Sequence, residues 1–452
     1  MKKIRIGSGA GYAGDRIEPA VELMEKGNLD YIIFECLAER TVAIGQQDKE
    51  KDPSKGYNQL LDYRMEKILP LMAKNKVKVI TNMGAANPVS AAERTCEIAR
   101  KLGVGGLKIA CVTGDDITDE LDKYENEKVL EDGTLLKEKK DVLISANVYM
   151  GAEGITKALE EGANLVITGR VSDPALTIGP LVHEFGWNID DNPDQMGQAV
   201  LAGHLLECGG QGAGGNYMYD WRNVPRMDEL GFPIAELTDD TFEITKAPDC
   251  GGIICEQSCK EQFLYEVHDP ANYLTPDVNV DISHATITQV GDNRVRIGGV
   301  KGKPRPDTLK LCVGYHKGWK TVSMLSFAWP DAYEKAQYCA EVIMKKMQRR
   351  GMKADDIHIS YIGLNSLHLG VADMSEEALK NLNECVLRIA VFSEDKSECA
   401  KIIPEISPLQ LNGPPGASFF GGRARVQEVM ALWPTTVPRD AVQVESHILE
   451  VK

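Results

Sequence analysis

Val77-Lys-Val-Ile-Thr81-Asn-Met-Gly-Ala-Ala-Asn87-Pro88-Val-Ser-Ala-Ala-Glu-Arg-Thr-Cys-Glu-Ile-Ala-Arg-Lys-Leu102 decides the fold. It opens on a short apolar run, crosses a polar turn and continues as an amphipathic helix. Asn87 is a good N-cap type, and Pro88 suits the first helical turn, where its missing N–H would lack a partner anyway. Further apolar runs lie at residues 3–7, 31–35, 107–112, 142–147 and 165–168, with helical patterns at 19–26 and 155–162. Strand and helix patterns in alternation predict an α/β fold with an N-terminal parallel sheet flanked by helices.

Beyond these runs a helix is expected over 194–208, then the glycine run Gly209-Gly-Gln-Gly-Ala-Gly-Gly-Asn216. Residues 242–300 read as short strands and turns, with a hairpin at Gly291-Asp-Asn293. From 319 the pattern gives a strand (321–327), a helix (331–350), a strand (357–362) and a helix (376–392), then a loop with Asn412-Gly-Pro-Pro-Gly416 and a strand-like tail. The expected division is a parallel α/β domain with Gly-rich strand-end loops (1–230), a β-rich segment (231–318) and an α+β C-terminal domain (319–452), packed together with no low-complexity linker.

In the 452 residues, 51 Lys and Arg against 67 Asp and Glu leave a net charge of −16, which disfavours a general nucleic-acid binder or an anionic membrane surface as partner. No apolar segment of signal-peptide type follows Lys2 and Lys3, and no run approaches the ~18 apolar residues of a spanning helix, so a cytoplasmic protein is expected. The eleven cysteines read as reduced thiols. Cys250, Cys255 and Cys259 have neither zinc nor common iron–sulfur spacing, so no metal is expected there.

Open α/β sheets bind ligands at the carboxyl ends of their strands. The first strand leads into Gly7-Ser-Gly-Ala-Gly11-Tyr-Ala-Gly-Asp15-Arg16. Read as G-x-G-x-x-x-G, it departs from the dinucleotide G-x-G-x-x-G, and three readings stand for it: a dinucleotide loop, a tight loop whose N–H groups hold a carboxylate or phosphate, and a structural turn. No acid follows the second strand in convincing dinucleotide context, Glu35 being the nearest. Asn82 and Asn87, Asp115, and Arg170 with Asp173 end later strands, and together they imply one crevice. Arg170 is the candidate for gripping an anion through its planar fork, against a plain salt bridge to Asp173 or Asp15. Asn87 and Asp173, each before a proline, also read as N-caps.

The densest constellation is Gly203-His204-Leu-Leu-Glu207-Cys208 with Gly214 and Asn216 beyond it. His204 and Glu207 are three apart on a helix, so they share a face, and both are residue types tuned for proton transfer. A structural His beside a glycine C-cap is the alternative. Cys208 reads as a nucleophile or, more ordinarily, as packing.

These motifs in order resemble the acyclic terpene utilisation AtuA family, as do Pro233-Ile-Ala-Glu236, Ile244-Thr-Lys246, Glu261-Gln-Phe-Leu-Tyr-Glu266, Thr275-Pro-Asp277 and Asn412-Gly-Pro-Pro-Gly416. The resemblance covers nearly the whole chain. It implies a role near the breakdown of citronellol- and geraniol-type acids through acyl-CoA intermediates, and it brings no established catalytic residues. The family's long form adds a ferredoxin-like C-terminal domain of ~100 residues, an ordinary module size. The chain resembles the short form, which implies a separately encoded small subunit and a homo-oligomer.

The expected function is an enzyme acting on a small carboxylic acid or acyl-CoA, abstracting a proton next to a carbonyl in lyase or hydratase fashion, in catabolism of branched or terpenoid-like acids. Glu207, His204 and Asp173 are the expected catalytic residues. Gly7, Gly9, Gly11, Asp15, Arg16, Asn82, Asn87, Arg170, Gly214 and Asn216 are expected to bind substrate. No separate cofactor is expected, and CoA enters as part of the substrate. The alternatives are a non-catalytic acyl-CoA-binding subunit that scaffolds a small partner, and a nucleotide-dependent oxidoreductase.

Overall fold

The computed structural model describes residues 2–239, 241–368 and 370–452. The chain divides into two units, Met1–Gly314 with Leu432–Lys452, and Tyr315–Ala431.

In the first unit the early strands are β1 (Ile4–Ala10), β2 (Tyr31–Phe34), β3 (Lys78–Thr81), β4 (Leu107–Thr113), β5 (Leu143–Val148) and β6 (Leu165–Thr168). Strands β1, β2, β3, β6 and β4 lie side by side in that order, all parallel. The sheet grows to ten strands by antiparallel additions. Next to β1 come β7 (Pro233–Leu237), β8 (Phe242–Lys246) and the hairpin Thr286–Gly291/Arg294–Gly298, while Glu445–Val451 closes the far edge against β4. The segment after residue 230 thus extends the same sheet.

Strand β5 stands outside this sheet and pairs with the 21-residue strand Thr308–Ala328. Its sequence shows why. Parallel strands covered on both faces are continuously apolar, as Tyr-Ile-Ile-Phe in β2 is. In contrast β5 carries the buried polar residues Ser145 and Asn147 within six residues, a denser polar content than β1, β3 or β6, each of which buries a single Ser or Thr.

Helices α1 (Glu18–Lys26), α2 (Glu39–Lys51), α3 (Leu61–Asn75), α4 (Pro88–Lys101), α5 (Glu153–Glu160), α6 (Ala175–Phe185) and α7 (Pro193–Glu207) follow the strands. Side chains alternate across the sheet. Ile32 and Phe34 join Leu23, Ile68 and Ile98 of α1, α3 and α4 in one core. Tyr31 and Ile33 face the other way, into a core with Leu159, Ile178 and Leu201 of α5, α6 and α7. Asn87 caps α4 as expected, accepting from Ser90 N at 3.3 Å. From Ala199 to Glu207 every residue of α7 is buried, so whatever chemistry this helix carries lies inside the protein.

The second unit stacks helix Ala332–Arg349 on strands Asp356–Ile362 and Glu384–Ser393, burying Ala336, Cys339 and Ile343 against Leu387, Ile389 and Val391. The helix expected over 376–392 is in fact the short helix Glu376–Lys380 followed by strand Glu384–Ser393. Leu387, Ile389 and Val391 are buried at every second position, and that period of two overrides the helical reading. Among the described residues no helix is long and apolar enough to cross a membrane.

Candidate functional site

All five parallel strands end on one edge of the sheet. A cleft of about 850 Å³ opens there, walled by Gly11, Glu35, Tyr149, Arg170, Asp173 and Glu207 among others. A volume of this order holds a small organic molecule.

Arg170 follows β6 and is 2% exposed. Its backbone N–H donates to Asp115 Oδ2 at 2.9 Å, and the same oxygen accepts from Asn147 Nδ2 at 2.8 Å. The guanidinium donates to Asp173 Oδ1 at 2.8 Å and to the Leu37 carbonyl, while Nε has no partner. It stacks 3.9 Å from the Tyr149 ring centroid, and Lys310 Nζ lies 4.5 Å from the same centroid. The Tyr149 hydroxyl donates to Glu39, which Lys310 also meets at 3.0 Å. Burial opposes the Glu39 charge, but Tyr149 and Arg170 outweigh it and bring the carboxyl down to about 2. Asp173 makes the salt bridge to Arg170 and does not cap α6. Burial raises its pKa despite the Arg170 charge.

Glu207 closes α7 and lines the same cleft. Its Oε1 is 2.8 Å from His204 Nδ1, and both side chains are almost fully buried. Glu207 Oε2 and His204 Nε2 have no partner. Burial pushes the Glu207 carboxyl up to about 7 even though His204 pulls the other way. For His204 burial favours the neutral ring, but Glu207 wins and raises the pKa. Each member therefore favours the charged form of the other, against burial. The His204 ring also meets Tyr273 edge-on at 5.5 Å.

Glu35, first residue after β2, is the third buried acid. Its Oε1 accepts from Leu37 N at 2.8 Å and Asn82 Nδ2 at 3.1 Å. Burial, reinforced by the Asp173 charge, pushes it up to about 8. Asn82 also accepts from Cys36 N at 2.7 Å, so it holds this turn from behind the cleft.

The remaining expected residues fall into three groups. Gly11, Arg170, Asp173 and Glu207 line the cleft, and His204 and Asn82 back onto its walls. Asp15, Arg16 and Asn216 border an adjoining hollow of about 360 Å³, and Gly214 and Asn216 line a further pocket of about 200 Å³. Gly7, Gly9 and Asn87 line neither. Strand β1 runs on to Ala10, so Gly7 and Gly9 are strand residues, where a Cβ would strike Leu29 at 2.6 Å and the Phe34 ring at 2.7 Å. Asn87 Nδ2 holds the Pro53 and Lys55 carbonyls.

Gly9, Gly11 and Gly14 do have dinucleotide G-x-G-x-x-G spacing, but the protein fills this loop itself: Asp15 accepts from Gly11 N at 2.8 Å and Arg16 N at 2.9 Å. Its carboxylate sits where a bound anion would. Arg16 in turn donates to the Leu230 carbonyl.

Sequence reasoning missed Glu39, Tyr149, Glu266, Tyr273 and Lys310, all cleft residues, and undervalued Glu35. Glu35 had a signal, being the first polar residue after four continuous apolar ones. Lys310 and Tyr149 had none, because β5 and its partner strand are far apart in sequence. Cys250 donates to the Ala247 carbonyl, Cys255 caps helix α8 (Glu256–Leu264), and Cys259 is buried. Among the described residues no group of three or more His, Cys, Asp or Glu is arranged to hold a metal ion.

Residues 4–448 match the family described as acyclic terpene utilisation family protein AtuA. The chain belongs to the AtuA family. Membership implies a role in acyclic terpene utilisation. No curated protein and no solved structure matches the chain.

Proposed function

We propose that this AtuA-family chain is an acid–base enzyme that abstracts a proton from the carbon next to the carbonyl of a small carboxylic acid or its CoA thioester. Lyase-type loss or addition of water, or carbon–carbon cleavage, follows. The observation carrying this reading is the buried Glu207 carboxyl, tied to His204 at 2.8 Å with its second oxygen unpartnered in the cleft wall. A base works best with a pKa near the working pH, and burial brings Glu207 to about 7.

In this reading Glu207 takes the proton and His204 steadies the carboxylate. Glu35, pushed up to about 8, keeps its own proton at neutral pH and donates toward the carbonyl oxygen as negative charge develops there. Arg170 and Lys310 supply fixed positive charge on the Tyr149 side. An acidic chain accommodates an anionic substrate more easily here because Glu35 is held neutral. The family role in acyclic terpene utilisation fits branched or terpenoid-like acids as substrates.

The test is hydrogen exchange. Incubated in D2O with a panel of branched C5–C10 acids and their CoA thioesters, the protein is expected to place deuterium at the α-carbon of at least one member. The variant Glu207→Gln should lower that rate by at least about a hundredfold, the usual reach of a general base. Panel members that bind without any exchange would overturn the reading in favour of a non-catalytic acyl-binding subunit.

A further inference from the structure

The glycine run after Glu207 has no part in the acid–base reading, yet it forms the floor of two further cavities. Cys208, next to Glu207, lines both the cleft and the hollow of about 360 Å³, and so does Gly11. Gln211, Gly215 and Asn216 line both that hollow and the pocket of about 200 Å³ beyond it. Tyr265 lines all three spaces. The three spaces are therefore neighbours, set in a row from the reacting acid past Tyr265 to Tyr217 and Met218.

The polar groups along the far end are already occupied. Asn216 Nδ2 donates to Gln211 Oε1 at 2.9 Å, Gln211 Nε2 to Gln262 Oε1 at 2.9 Å, and Gln262 Nε2 to the His204 carbonyl at 3.0 Å. Glu261 takes the backbone N–H groups of Met218 and Tyr219 at 2.8 and 3.2 Å. With these amides and this carboxylate already paired, the far pocket offers a ligand chiefly carbon: the Tyr217 and Tyr265 rings and the Met218 thioether, while Asp15 and Arg16 border the hollow between. Met218 is 81% exposed and Tyr265 41%, so both have apolar surface that a guest in this pocket would cover.

We propose that this row of spaces is a track for the hydrocarbon tail of the substrate, and that Tyr265 and Met218 set the chain length the enzyme accepts. The proposal rests on the reading that the reacting carbonyl sits at Glu207, because the track starts one residue from it. A tail laid this way buries methylenes against aromatic and thioether carbon, and its length is limited where the pocket under Met218 closes.

Binding of saturated straight-chain carboxylates, which undergo no elimination, tests this apart from catalysis. Calorimetric titration of the full chain with butanoate, hexanoate, octanoate and dodecanoate should show affinity rising by about fourfold per methylene, the ratio equivalent to ~0.8 kcal/mol for one buried CH₂, and then levelling off. Met218→Asp should lower the octanoate-to-butanoate affinity ratio by at least about tenfold, and Met218→Leu should restore it. Tyr265→Ala should move the levelling to a different length. An affinity independent of chain length, or a ratio indifferent to Met218→Asp, overturns the tail track and leaves the acid–base reading standing. Failure of every carboxylate to bind, butanoate included, overturns the track, while the acid–base reading stands or falls by deuterium exchange on the CoA thioesters. Deuterium exchange on short acids alone, with no gain from longer ones, overturns only the track.

Discussion

His204 Nδ1 and Glu207 Oε1 stand 2.8 Å apart, one helical turn from each other on α7, and both side chains are almost fully buried, Glu207 at the cleft wall. Burial raises the Glu207 pKa, the Asp173 and Glu266 charges add to it, and His204 alone lowers it. Activity requires the ionised carboxylate, so it should rise with pH through about 7. His204→Gln keeps a hydrogen-bonding partner but removes the positive charge, leaving burial unopposed. The rising limb of the pH–rate profile should then move alkaline by about 1–2 pH units. A profile that stays in place, or moves to lower pH, contradicts the dyad.

Glu35→Gln should stabilise the protein at alkaline pH. The Glu35 pKa is pushed from its ordinary 4.5 up to about 8, chiefly by burial. Between those values the folded state holds a proton that the unfolded state has lost, so stability falls as pH rises through the window. The gain from Gln should be negligible near pH 4, grow across the window at roughly one kcal/mol per pH, and level off above about 8 at a few kcal/mol. Gln Oε1 still accepts from Leu37 N and Asn82 Nδ2, so nothing else is lost. Calorimetric unfolding at pH 5 and pH 9 measures the difference, and an equal Tm change at both would contradict it.

Arg170 joins three groups at once: Asp173, the Leu37 carbonyl and the Tyr149 ring. Arg170→Met should therefore destabilise by about 1–3 kcal/mol, because it empties a fully buried site and leaves the half-buried Asp173 carboxyl, still partly screened by water, without its partner. Arg170→Lys keeps the charge but lacks the fork and the flat face, so it should cost less stability while lowering activity at least tenfold. Urea unfolding alongside the exchange assay separates the two effects. A Met variant as stable as the parent would mean that Asp173 is not charged there.

What could be read from sequence followed from short-range patterns. The strands around 31–34, 78–81 and 165–168, the Asn87 cap and the Gly291 hairpin are each set by neighbours a few residues away, and each is present. The His204–Glu207 contact was legible for the same reason, since i and i+3 on a helix meet whatever the rest of the chain does. Illegible were the relationships that need two distant segments. Lys310 reaches Tyr149 only because β5 leaves the main sheet to pair with Thr308–Ala328, and Glu35 meets Asn82 only once β2 and β3 align. The glycines at 7 and 9 misled because a missing side chain reads alike whether it admits a ligand or, as here, Leu29 and Phe34.

Gly11 and Gly103 make a matched pair for the last prediction. A Cβ on Gly11 would stand 2.4 Å from the Cys208 carbonyl carbon, 2.6 Å from its oxygen and 2.7 Å from Gly209 N. All three are backbone atoms, so no rotamer change relieves the clash, and the end of α7 must shift away from the end of β1. That displacement drags Glu207, one residue earlier, out of register with the cleft. Gly11→Ala should destabilise by about 3 kcal/mol, the upper range for overpacking, and lower activity by a factor well beyond what the stability loss explains at a temperature where the variant stays folded. A displacement near 1 Å at a catalytic group costs on the order of a hundredfold. Gly103 instead has φ +69° and no atom within 4 Å of an added Cβ. Gly103→Ala should carry only the left-handed backbone penalty of about 1–2 kcal/mol, with unchanged turnover. Equal activity in the two variants would show that the close approach of β1 to α7 has no bearing on where Glu207 sits.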